Sequence, residues 1–203
     1  DSIRDMGRDY SITLINTSTK NNKQEEYYEN LKGEFRDWSY IKLNSQEGDE
    51  VEVSLPSKGY KVPIKPGKNV IILNGKEKEY EVVESKSHIS QSELVNGGVM
   101  NAVNGYVDCT YKIRFKATEF GLSEIISVCM EYSDKVAVIS GFMASRGLSF
   151  VNHDFTRHIT EMIYLPSDKT HLTKNVQDMR IFGNFEDDDS SITIYTTEEI
   201  WLK

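Results

Sequence analysis

From Lys135 to Leu202 the chain is cut into short runs of β-like alternation, each ended by a turn or a polar break. Val136, Val138, Ser140 and Phe142 alternate with Ala137, Ile139, Gly141 and Met143. Met179, Ile181 and Phe185 bracket Gly183, and Ile192 and Ile194 alternate with threonine and tyrosine. Period two puts successive side chains on opposite faces of a strand, so the pattern predicts a sandwich or barrel of short strands.

The first half extends the pattern. Ser11–Ile15 alternates weakly, Phe35–Leu43 carries Trp38, Tyr40 and Ile41, and Val51, Val53 and Leu55 alternate with acids and a serine. Tyr60, Val62 and Ile64 alternate too, but Pro63 and Pro66 mark an edge strand or a loop. Val70–Leu73 is closed by Asn74-Gly75, a hairpin turn signal, with Tyr80, Val82 and Val83 on the return. One short helix is expected around Gln24–Leu31. The expected fold class is all-β: antiparallel β-sandwich or jelly-roll-like barrel units with at most one short helix.

Residues 84–105 lose the alternation and are rich in Ser, Asn and Gly. They divide the chain into an N-terminal β domain over 1–85, a linker or crossing loop over 86–105 and a C-terminal β-sandwich over 106–203. One continuous sandwich is the alternative.

The two cysteines, Cys109 and Cys129, are too few for a disulfide framework and lack zinc-site spacing. They are expected on neighbouring strands of a hairpin turning near Glu119-Phe120-Gly121. One register sets Cys109 opposite Cys129. A slip by one residue sets Tyr111 opposite Val128, matches apolar residues better, and leaves the thiols unbridged.

The 203 residues carry a net charge of -8, which disfavours nucleic acid and anionic membrane surfaces as partners. No apolar run approaches the roughly 20 residues of a membrane span. The chain begins at Asp1 rather than Met, which implies a removed leader or an excised fragment.

No catalytic, metal or cofactor pattern emerges. His153, Asp154 and His158, with His171 further on, lack ligand spacing, because positions 153 and 158 face opposite ways on a strand. Asp187, Asp188 and Asp189 lack the alternation and glycine of a calcium loop and read as a solvated hairpin tip. No Ser, His and Asp stand in nucleophile order, and Gly97-Gly98 opens no phosphate-binding helix. Asn16-Thr17-Ser18 matches a glycosylation triplet. Tyr27, Tyr28, Trp38 and Tyr40, with Tyr164 and Trp201, could stack on sugar rings or pack a core. The expectation is a non-enzymatic binding protein without cofactors.

The closing stretch resembles the receptor-binding tips of bacteriophage tail-fibre and baseplate proteins. The similarity lies in a strand like Val136–Met143, then a strand ending in a Leu-Pro step as in Ile163-Tyr164-Leu165-Pro166, then strands like Met179–Phe185 and Ser191–Tyr195. It covers about a third of the chain. Where the family usually has a glycine in the final turn, this chain has Asp187–Asp189. The resemblance implies a homotrimer on a virion surface that binds a cell-surface saccharide or protein receptor without catalysis. Other classes with the same composition are a secreted or lipid-anchored bacterial surface β-sandwich and a viral β-sandwich that binds a host protein. Rigid β scaffolds display their binding groups on loops. The loop 145–157 mixes Arg146, Asn152, Asp154 and Arg157, and these four are the expected ligand-binding residues.

Overall fold

A computed structural model of the chain describes residues 9–16, 21–43, 50–88, 107–140, 149–164 and 192–196. The fold is mostly β, as expected. Among the described residues it is one nine-stranded sheet with two helices. In chain order these are β1 (Ser11–Asn16), α1 (Asn21–Glu34), β2 (Ser39–Leu43), β3 (Glu50–Ser54), β4 (Gly67–Leu73), β5 (Lys76–His88), β6 (Val107–Lys116), α2 (Leu122–Tyr132), β7 (Lys135–Ser140), β8 (Glu161–Tyr164) and β9 (Thr193–Tyr195).

Across the sheet the strand order is β4-β5-β6-β3-β2-β7-β1-β8-β9. From β4 to β2 every neighbouring pair is antiparallel. From β2 to β9 every pair is parallel. The parallel block was not anticipated. Parallel strands need crossovers that cover the sheet's faces, so their own residues are buried on both sides. β2 is buried along its whole length, as are β1 and β7 after their first residues.

The two faces carry two cores. Ile12, Leu14, Ile41, Val136, Val138 and Met162 pack on the face covered by α2. Ile15, Tyr40, Ala137 and Ile139 pack with Tyr28 of α1 and with Trp38 on the other. The aromatic cluster of the first half is therefore largely packing. Tyr28, Trp38 and Tyr40 are buried, and only Tyr27 is exposed.

The antiparallel half behaves as its sequence suggests. Asn74 (φ 51°) and Gly75 (φ 73°) turn β4 into β5, the left-handed pair that matches strand twist in a two-residue hairpin. β4 is an edge strand, and its Val70 and Ile72 are 60% and 65% exposed. Residues 55–66, including Tyr60 and Val62, lie outside the strands.

The expected division into 1–85 and 106–203 is corrected by the topology. β6 lies between β5 and β3, and β7 lies between β2 and β1, so both halves interleave in one sheet. Residues 84–88 belong to β5 and pair with 107–111 of β6. The rest of the expected linker, 89–105, lies outside the described residues.

The expected cysteine hairpin is also corrected. Cys109 lies in β6 in register with Lys86, but Cys129 lies in α2. The helix starts at Gly121, whose N–H donates to the Glu124 carboxylate at 2.9 Å. Leu122, Ile125, Ile126, Cys129 and Met130 recur at helical spacing toward the sheet. Cys129 is a free, fully buried thiol whose pKa is pushed up by burial.

Candidate functional site

The chain leaves β1 through α1 to reach β2 and leaves β7 for β8, and β7 and β1 are neighbours. In the first connection, α1 packs through Tyr28 on one face of the sheet, and in the second, Phe150 and Ile159 pack on the other. The strand order therefore reverses between β1 and β7. In open sheets of this kind the diverging connections leave a crevice outside the carboxyl ends of the strands at such a point.

The residues at that edge are Asn16 of β1 and Ser140 of β7, which face each other in register. Leu43 flanks Ser140, and Tyr164 flanks Asn16. Asn16 is 8% exposed, and its side-chain amide makes no hydrogen bond among the described residues. A buried amide without a partner is costly, and a polar ligand would satisfy it. α1 begins five residues after Asn16, with no acidic residue in its first turn. Its positive dipole end therefore lacks the carboxylate that commonly neutralises such a terminus. The sequence around it, TSTKNNKQ, holds Lys20 and Lys23.

Three of the four sequence-expected ligand residues come together elsewhere, at the amino edge. Asn152 organises a tight loop. Its Oδ1 accepts from the Arg157 N–H at 2.9 Å, its Nδ2 donates to Thr156 Oγ1 at 3.0 Å, and its N–H donates to the Arg157 carbonyl at 3.0 Å. Asp154 Oδ1 accepts from the Thr156 N–H and hydroxyl, which holds its carboxyl below the usual range. Arg157 donates to Asp134 at 3.2 Å and lies 5.1 Å over the Tyr10 ring. Asn152 thus spends its side-chain amide inside the loop, and Arg157 commits one guanidinium hydrogen bond to Asp134 and its face to Tyr10. Arg146 lies outside the described residues, six positions after Ser140 in sequence. Sequence reasoning missed Asn16 as a site residue, because only topology places it beside Ser140.

Ser127 and His153 share a hydrogen bond of 2.9 Å. The Ser127 oxygen also accepts from the His153 N–H and can donate to the Ser123 carbonyl. It fastens the loop to α2. The His158 ring bonds to the Ile159 carbonyl. Among the described residues no three His, Cys, Asp or Glu converge as a metal site. His171 and Asp187–Asp189 lie outside them. A separate cleft of about 400 Å³ between the end of α1 and the antiparallel strands is lined by Lys32, Arg36, Trp38, Ser54, Thr110 and Lys112, among others.

Asp134 anchors the amino edge. Burial alone would raise its pKa, but hydrogen bonds and charge from Lys61 (2.8 Å) and Arg157 hold it below the ordinary carboxylate value. A depressed folded pKa contributes stability that is complete above the unfolded value, about 3.9, and is lost as pH falls through the folded one. The protein is expected to lose stability on acidification below about pH 4, and Asp134→Asn to lose less. Melting midpoints followed from about pH 6 to about pH 2 check this. Identical acid slopes for the two proteins would contradict it.

No family model, curated protein or solved structure matches this chain.

Proposed function

We propose that this chain is a ligand-binding domain whose site is the carboxyl edge between β1 and β7, and that it takes a small phosphate-bearing molecule of nucleotide size. The observation that carries the reading is the reversal of strand order at two facing polar residues, Asn16 and Ser140. Three features agree with it. The Asn16 amide is buried and lacks a partner among the described residues. The adjoining end of α1 is free of acids. Helix termini of this kind favour anions through oriented N–H groups and the helix dipole. Lys20 and Arg146 follow β1 and β7 in sequence, and cationic side chains are what a phosphate needs. The net charge of -8 fits a compact anion better than a polyanion. The role is binding rather than catalysis.

Calorimetric titration with ATP, ADP and inorganic phosphate tests the proposal. Saturable binding of a nucleotide is expected, weakened about tenfold in Asn16→Ala, the loss of one buried hydrogen bond. Absence of binding to all three, or equal affinity in the variant, would overturn it.

One observation favours a second reading, recognition of a cell-surface saccharide or protein by the amino-edge loop, as in the homotrimeric virion tips that the closing stretch resembles. Phe155 stands at that loop's turn, 71% exposed and with φ 60°. A bulky residue held there pays strain, and such strain concentrates at functional loops. Wild-type binding to receptor-bearing cells, lost in Phe155→Ala, would favour this reading.

A further inference from the structure

At the amino end of the parallel block, three hydroxyls, from Ser11 and Thr13 of β1 and from Thr160 just before β8, converge on one carboxylate oxygen of Glu161. Thr13 and Glu161 are partners in register. The Glu161 carboxylate is 2% exposed and forms no ion pair among the described residues. Its Oε2 accepts from Ser11 Oγ at 2.6 Å, Thr13 Oγ1 at 2.8 Å and Thr160 Oγ1 at 2.6 Å. Its Oε1 takes no hydrogen bond among the described residues.

Each hydroxyl has a single proton to give. Once all three are directed at Oε2, none remains for the 3.1 Å contact between Ser11 Oγ and Thr13 Oγ1, which then sets lone pair against lone pair. Thr160 Oγ1 has an added donor of its own, the Ile12 N–H at 3.0 Å. The cluster is therefore rich in acceptors and holds one negative charge. A buried carboxylate with no cation beside it among the described residues is expensive, and an oxygen-rich cluster whose hydroxyl protons are already directed at Oε2 suits a hard cation. One negative charge is neutralised by one positive charge, which selects a monovalent ion over calcium or magnesium.

We propose that Ser11, Thr13 and Glu161 form a site for an alkali cation, sodium or potassium. The ion contacts the free Glu161 Oε1 and the hydroxyl lone pairs of Ser11 and Thr13, while Thr160 orients the carboxylate. Ser11 is only partly buried, which gives the ion a path from solvent. The site clamps β1 to β8 at the amino end, opposite the carboxyl edge assigned to the ligand, and does not depend on that assignment.

The test compares melting midpoints in sodium, potassium and tetramethylammonium chloride at equal ionic strength. Tetramethylammonium is too large for the cluster. A saturable rise of about 5 °C in sodium or potassium is expected at a concentration far above the dissociation constant. Glu161→Gln and Thr13→Val should abolish that rise. If Glu161→Gln does not fold, Thr13→Val carries the test, because it removes a ligand and keeps the carboxylate. Equal midpoints in all three salts, or a wild-type rise in a folded variant, would overturn the proposal.

Discussion

Phe115→Ala is expected to lower the unfolding free energy by about 4 kcal/mol and the melting midpoint by about 10 °C. Phe115 is 1% exposed in β6, and its ring meets Phe120 at 4.8 Å and Tyr80 at 6.1 Å. Truncation loses both the transfer free energy of the ring and two aromatic contacts, and it leaves a cavity among residues that cannot all collapse. Phe120 leads directly into α2, so this ring joins the antiparallel strands to the helix that covers the parallel block. Because the strands form one sheet, one cooperative transition should move as a whole. A split melt in which only one part is destabilised would restore the two-domain division.

Tyr28→Ala is expected to cost about 3 to 5 kcal/mol and to weaken ligand binding together with stability. α1 is polar along most of its length, and Tyr28 is its fully buried anchor. The ring packs edge-on against Tyr40 at 6.4 Å. Its hydroxyl shares a 2.6 Å hydrogen bond with Ser54 and donates to Glu52 at 3.2 Å. Burial pushes the phenol pKa up, so it stays neutral and keeps its proton for donation. Tyr28→Phe keeps the packing, loses these bonds, and should cost only about 1 to 2 kcal/mol. Denaturant titration of both variants measures the difference. Equal costs would show that α1 is held by the hydroxyl rather than by the ring.

What the sequence reveals differs between the two halves of the sheet, for a physical reason. In the antiparallel half only one face is fully covered, so alternation survives in the sequence of β3 and in the burial of β4, and Asn74-Gly75 marks the turn directly. In the parallel block both faces are buried, so SITLIN and KVAVIS are apolar at odd and even positions alike. Such runs announce strands but carry no information on strand direction.

α2 was misread because isoleucine and valine favour strands by propensity. Its helical signal was nonetheless present in Leu122, Ile125, Ile126, Cys129 and Met130, with Glu124 three residues after Gly121. The loop holding Asn152, Asp154 and Arg157 was legible as a polar cluster, but not the fact that those groups bond mainly to each other and to Asp134. Asn16 and Ser140 are far apart in sequence, and only the parallel pairing of β1 with β7 makes them neighbours.

The central claim, a phosphate-bearing ligand at the carboxyl edge, is tested most directly by titrating the isotope-labelled protein with a nucleotide and mapping amide chemical shifts. Saturable changes centred on Asn16, Ser140 and the first turn of α1 are expected. Changes centred on Asn152–Arg157 or on the cleft beside Lys112, or none at all, would contradict it.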